Sequence, residues 1–187
     1  MVFARGEVPC DVLFIGEAPG RSENVDPQAR AFIGPAGKLQ DSIVKEVLES
    51  LDPQVKVRIL YSNLCCCLPL GENKEIRRPE PEEIKACSPR LTEFVNEVAK
   101  PRLIVSVGEL ARTWLPKILN SAQYKFVTQE HPSSILRQGF AMRSGLIQRT
   151  VVILRGAIED AMRTPAKRLE IVPQERSNAY DGDDIPF

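Results

Sequence analysis

Four groups of residues in this chain have the types and spacing to do chemistry. Gly16-Glu17-Ala18-Pro19-Gly20 closes a short apolar run and sets a carboxylate in a tight turn. Asn63 ends a second apolar run, and His131, the only histidine in the chain, follows a third. A carboxylate, a carboxamide and an imidazole at strand ends are side chains that exchange protons and hydrogen bonds with a ligand. Taken singly each has a plainer reading, as a turn, a turn-forming Asn and a structural histidine. The fourth group is the cysteines: Cys65, Cys66, Cys67 and Cys87, four of the five in the chain, fall within 23 residues. In a reducing compartment such crowding speaks against disulfides and for a metal or cluster site. Cys87 also lies on the apolar stripe of its predicted helix, where a free thiol packs as a small hydrophobe.

The elements that must position these residues are legible from hydrophobic periodicity. Val12–Ile15 reads as a buried strand, Val57–Tyr61 as a second leading to Ser62-Asn63, and Leu103–Val107 as a third. Phe126-Val127 and Val151–Leu154 are candidates for the last strand positions. Between them, apolar residues at 39, 43, 44, 47, 48 and 51 make a helical stripe over Ala36–Leu51. A second stripe at 84, 87, 91, 94, 95 and 98 follows Pro79-Glu-Pro-Glu-Glu, a favourable first turn. Another helix is expected to start at Gly108. Strands alternating with helices predict an α/β fold whose parallel sheet is covered on both faces. In such folds chemistry gathers at the carboxyl ends of the strands, where Gly16–Gly20, Asn63 and His131 fall.

Those residues come in a particular company. Gly16-Glu-Ala-Pro-Gly20 with Glu23, Phe32-x-Gly-x-Ala-Gly37, Tyr61-Ser-Asn63 leading to Cys67, Pro81-x-Glu-Ile-x-Ala-Cys87, Leu103–Gly108 and His131–Arg137 occur in this order over roughly residues 2–160. In that set and order the chain resembles the uracil-DNA glycosylase superfamily, in its iron–sulfur (family 4) branch. The resemblance implies a three-layer α/β/α sandwich around a central four-stranded parallel sheet. It also implies an enzyme that removes uracil from DNA after taking the base out of the stack. Phe32 would stack on the flipped base, and Asn63 would read its edge, with Gly16 and Ala18 lining the pocket. His131 would stabilise the departing anion, an electrostatic role like that of an oxyanion hole. Glu17 would handle the attacking water or the sugar cation, with Glu23 in reserve, because Ala18 stands where some branches carry an Asp. Pro19, Gly20, Pro132, Ser133 and Arg137 would contact DNA, the glycines letting backbone approach phosphate.

The cysteines depart from the family. The resemblance implies a [4Fe-4S] cluster on four thiolates, two of them at the positions of Cys67 and Cys87. The given sequence opens Met1-Val-Phe-Ala-Arg-Gly, which resembles the segment after the family's first cysteine pair, so an incomplete ligand set without that pair is expected. Cys65, Cys66 or Cys10 are the available substitutes, Cys10 being poorly placed at the start of the first strand. Without a cluster the 64–88 loop needs another support. An inserted stretch, Glu72-Asn-Lys-Glu-Ile-Arg-Arg78, lacks the histidine that one branch uses to trap DNA covalently. Arg77 and Arg78 read as phosphate contacts or solvated charges.

Composition bounds the rest. With 187 residues, 43% hydrophobic and 27% charged, one domain with a real core is expected over residues 1–164, followed by a disordered tail, 165–187. The formal net charge of zero conceals an acidic tip: residues 181–187 hold three Asp, leaving 25 basic against 22 acidic residues elsewhere. The tip, Asp183-Asp184-Ile185-Pro186-Phe187, resembles that of bacterial single-stranded DNA-binding proteins. A docking role on repair or replication proteins is therefore expected, the terminal Phe filling an apolar pocket. No apolar run reaches the ~20 residues that span a bilayer, and no signal peptide is evident, so a cytoplasmic protein is expected. The resemblance implies uracil-containing DNA as its partner, and a monomer is expected. The alternative is a truncated, catalytically weak relative that binds DNA or uracil and recruits or blocks partners through the tip.

Overall fold

The structure, a computed structural model, describes residues 1–163. The expected tail, with Asp183, Asp184, Ile185, Pro186 and Phe187, lies outside the described residues. Five strands form one sheet: β1 (Ala4–Gly6), β2 (Val12–Gly16), β3 (Ile59–Asn63), β4 (Leu103–Val107) and β5 (Lys125–Gln129). Their order is β1-β3-β2-β4-β5, with β1 antiparallel to β3 and every other pairing parallel. The helices are α1 (Arg21–Asn24), α2 (Pro35–Glu49), α3 (Pro81–Glu93), α4 (Glu109–Ile118), α5 (Pro132–Leu136) and α6 (Phe140–Arg163). α3 runs on into a π-helical turn over Phe94–Ala99, ended by Lys100 in the left-handed region at φ 46°.

Side-chain alternation along the central strands builds the two cores. Val12 and Phe14 of β2 face Ile43, Val44 and Val47 of α2 and Leu154 and Ile158 of α6. Leu13 and Ile15 face the other way, onto Leu91 and Val95 on the α3 side and Ala111 and Leu115 of α4. A strand buried on both faces shows a continuous apolar run instead of alternation. That is how Val12–Ile15 and Leu103–Val107 read in the sequence.

Two expectations need correction. The sheet is not four parallel strands: β1 adds a fifth, antiparallel edge, with Arg5 opposite Tyr61. Ala4-Arg5-Gly6 is too short and polar to announce itself, and its pairing with β3 is what makes it a strand. Val151–Leu154 is not a strand but part of α6, whose buried residues are Thr150, Val151, Leu154, Ile158 and Ala161. A four-residue apolar run cannot by itself separate strand from buried helix, and the longer spacing of three and four residues decides it.

Candidate active site

The carboxyl ends of β2 and β3 meet at one register pair, Gly16 with Asn63. A Cβ on Gly16 would lie 2.6 Å from Asn63 Oδ1 and 2.8 Å from Phe32 Cζ. Gly16, Phe32 and Asn63 thus converge on one spot, and the glycine is there because nothing larger fits. Phe32 holds φ at 59°, a left-handed conformation that is costly for an aromatic residue and typical of functional sites. Its ring leans on Tyr61, centroid to centroid 5.3 Å, and Tyr61 stacks in turn on Phe14 at the same distance.

Asn63 is 4% exposed, and its Nδ2 has no hydrogen-bond partner among the described residues. A buried amide donor left unpaired costs about 1–3 kcal/mol, so it demands an explanation. Among the described residues two other buried side-chain nitrogens lack partners, Arg90 Nε and Arg143 Nε. Both of those guanidinium groups donate through Nη2 instead, Arg90 to the backbone oxygen of Asn63 and Arg143 to that of Leu136. The Asn63 amide therefore stands apart, with its Nδ2 unpartnered among the described residues.

Glu17 follows directly on β2 with its side chain half-buried, 3.8 Å from Arg78 Nε. Burial, the larger influence, raises its carboxyl above the ordinary value, against the pull of the Arg78 charge. Ala18 is half-buried and Pro19 buried beside it. The Gly20 backbone N–H donates to the Glu23 carboxylate, which closes the first turn of α1. Glu23 is thereby occupied as a cap, and the Gly20 amide is already engaged.

His131 caps α5 from the end of β5. Its Nδ1 accepts from the Ser133 backbone N–H at 3.2 Å and lies 2.7 Å from Ser133 Oγ. Burial first, then the charges of Arg137 and Arg78, hold the imidazole below its usual range. A neutral ring that accepts at Nδ1 carries its hydrogen on Nε2, leaving that nitrogen as a donor. Gly108, at the end of β4 with φ 88°, makes room for it: a Cβ there would sit 3.0 Å from His131 Cβ. Pro132 is buried, Ser133 half-buried and Arg137 exposed on the same loop.

Sequence reasoning missed two supports. Gln40 of α2 and Gln129 of β5 are both buried and bonded to each other, Gln40 Nε2 to Gln129 Oε1 at 3.3 Å, beneath the His131 loop. Nothing in their local sequence signals this long-range pair. Arg77 and Arg78 also part company: Arg77 is tied to Glu83 by two bonds of 2.7 and 2.9 Å, while Arg78 reaches Glu17. Only Arg78 is directed at the strand ends.

The cysteines do not complete a metal site. The sulfur found 4.0 Å from Cys87 Sγ is that of Cys66, not of the exposed Cys67. Burial pushes the Cys65 thiol up to about 12 and that of Cys66 to about 11, with Cys87 adding to both. Cys10 is packed in the core at the start of β2, its thiol also pushed up by burial to about 12. Among the described residues there is no group of three or more His, Cys, Asp or Glu side chains placed to hold a metal ion. The described residues therefore do not assemble the four thiolates that such a cluster takes.

Known proteins match this chain in sequence and in fold. The profile of the uracil DNA glycosylase superfamily matches residues 3–155, so the chain belongs to that superfamily. A type-4 uracil-DNA glycosylase of Saccharolobus solfataricus is 36% identical over 115 residues, covering 62% of this chain and 48% of that protein. One from Sulfurisphaera tokodaii is 38% identical over 103 residues, 55% of this chain and 42% of its own length. The chain thus spans about half the length of these two relatives. A third, from Pyrobaculum aerophilum, is 28% identical over 181 residues, covering 87% of this chain and 85% of the relative. The crystal structure of Pedobacter heparinus SMUG2 superposes with a TM-score of 0.53 at 14% identity, over 79% of this chain and 75% of that one, a likeness of fold. No helix among the described residues is long and apolar enough to cross a membrane.

Proposed function

We propose that this protein hydrolyses the N-glycosidic bond of uracil in DNA and leaves an abasic site. The observation that carries the reading is the unpaired Asn63 Nδ2, buried against the Phe32 ring at a strand end. Flipped uracil would stack on Phe32. It would receive the Nδ2–H at its O4 and offer its N3–H to Oδ1. Cytosine, with an amino group at that edge and no hydrogen on N3, would oppose donor to donor and acceptor to acceptor. As the bond from C1′ to N1 breaks, its electron pair leaves with uracil, and neutral His131 would donate from Nε2 to the oxygen where charge grows. Glu17 would orient water toward the cationic C1′ and receive its proton.

The type-4 relatives and the superfamily match support this chemistry. Exposed Arg137 and Arg78 supply cations for phosphates flanking the flipped nucleotide. The proposed setting is a cytoplasmic monomer, with the acidic tip as a contact for repair or replication proteins. No step passes through a cluster. The test is incubation with an oligonucleotide holding one uracil, followed by alkaline cleavage of abasic sites. Wild type is expected to cut it and His131→Ala to be slower by about 10²–10³, the usual cost of one such donor. A folded wild type that leaves the strand intact overturns the proposal.

A further inference from the structure

The strand that sequence reasoning missed carries a side chain aimed at the pocket wall. Arg5, in the middle of β1, donates from Nε to the Ala31 carbonyl at 2.9 Å and from Nη2 to the Phe32 carbonyl at 3.1 Å. The same Nη2 pairs with Asp41 of α2 at 2.7 Å, and the guanidinium lies 4.4 Å above the Tyr61 ring. One planar cation therefore grips both peptide oxygens flanking the Phe32 backbone and the aromatic ring that supports the Phe32 side chain. Gly37 lets the chain close on this point, since a Cβ there would fall 1.9 Å from the Phe32 oxygen. The chain on either side of β1 is itself pinned, the Phe3 N–H donating to the Ala29 carbonyl before it and the Glu7 N–H to that of Ile59 after it.

Phe32 needs such a grip. Its left-handed backbone is uphill for an aromatic residue, and it is what turns the ring toward Gly16 and Asn63. We propose that Arg5 is a positioning residue for base excision: it clamps the Phe32 backbone so that the ring forms a preset stacking floor for the flipped base. A plainer reading, an ion pair with Asp41, does not account for the two carbonyl contacts. Asp41 is also 44% exposed, and pairs so open to water contribute little.

The inference rests on the proposed excision of uracil, and the experiment separates the two. Arg5→Gln, Arg5→Lys and Asp41→Asn are compared with wild type in single-turnover excision and in affinity for undamaged DNA. A displaced ring is expected to cost Arg5→Gln about 30-fold or more in excision rate. Its affinity for undamaged DNA should stay within about twofold, Asp41→Asn should be near wild type, and Arg5→Lys should recover part of the loss. In parallel, the nuclear Overhauser contacts between the Phe32 ring and the Gly16 Hα protons are recorded for wild type and for Arg5→Lys, the variant that disturbs folding least. These contacts should weaken in the variant. Arg5→Gln excising within about threefold of wild type, or unchanged Phe32–Gly16 contacts in Arg5→Lys, overturns the clamp. A wild type without excision but with weakened contacts in the variant overturns the uracil reading alone.

Discussion

The two ends of β2 hold buried polar groups of opposite character. At the amino end, Asp11 is 5% exposed and fully engaged. Its Oδ2 accepts from the Arg58 backbone N–H and Nε at 2.9 and 3.0 Å, its Oδ1 from Arg58 Nη2, and Arg102 Nε stands 3.4 Å away. At the carboxyl end, Asn63 faces Gly16 with a donor that bonds to nothing. Both groups are removed from water, so both have lost their solvation. One is repaid by its neighbours and helps to hold the fold, joining the starts of β2, β3 and β4. The other keeps an unpartnered donor among the described residues, and the proposed function gives that donor a ligand.

The contrast can be broken most sharply at Asn63. Asn63→Leu, close in shape and without the polar atoms, is expected to lower uracil excision by about 10²–10³. Its melting temperature should hold or rise, because the orphaned donor is gone. A large fall in melting temperature would mean that Asn63 serves the fold and would remove the contrast.

Asp11→Ala should behave in the opposite way. Losing the shared acceptor is expected to destabilise by about 1–3 kcal/mol in denaturant unfolding, held to that range because Arg58 and Arg102 are 44% and 32% exposed. Excision per folded molecule should not change. A selective loss of excision would show that the two ends of β2 are coupled.

A smaller effect separates the two ends by pH. Burial alone would raise the Asp11 carboxyl, but the bonds and charge of Arg58, with Arg102, outweigh it and hold the group below its ordinary 3.8. A depressed carboxylate contributes stability that is present above pH 3.8 and is lost as pH falls through its lower folded value. In the proposed mechanism, excision needs Glu17 ionised and His131 neutral. The Glu17 value is raised above its ordinary 4.5 and that of His131 lies below its ordinary 6.5. The rate should therefore fall on the acid side of pH 6.5 while the protein is still folded, with stability failing only at lower pH. Excision and melting temperature recorded across pH 3–8 should give two separate limbs; coincident limbs would contradict the assignment.

Much of this was legible in the sequence, for a local reason. Val12–Ile15, Val57–Tyr61 and Leu103–Val107 read as strands because each carries its own apolar run, and Ala36–Leu51 as a helix because its stripe repeats within it; the structure sets the second strand at Ile59–Asn63 and the helix at Pro35–Glu49. The motifs around Phe32, Asn63 and His131 were recognisable because each occupies a few consecutive positions. What stayed hidden depends on partners far along the chain. Arg5 and Tyr61, Gln40 and Gln129, and Cys66 with Cys87 are each separated by twenty or more residues, and no local pattern encodes such pairs.

The sequence by itself determined the alternation of strands and helices, the superfamily, and the residue types that follow the strands. These follow from hydrophobic period and from motifs that each occupy a few consecutive positions. Only the tertiary structure decided that β1 completes the sheet, that Val151–Leu154 is helix, that Cys66 and not Cys67 neighbours Cys87, and that the Asn63 donor is unpaired. Whether a polar atom is satisfied depends on every group around it in space, and a single chain read in order does not contain that neighbourhood.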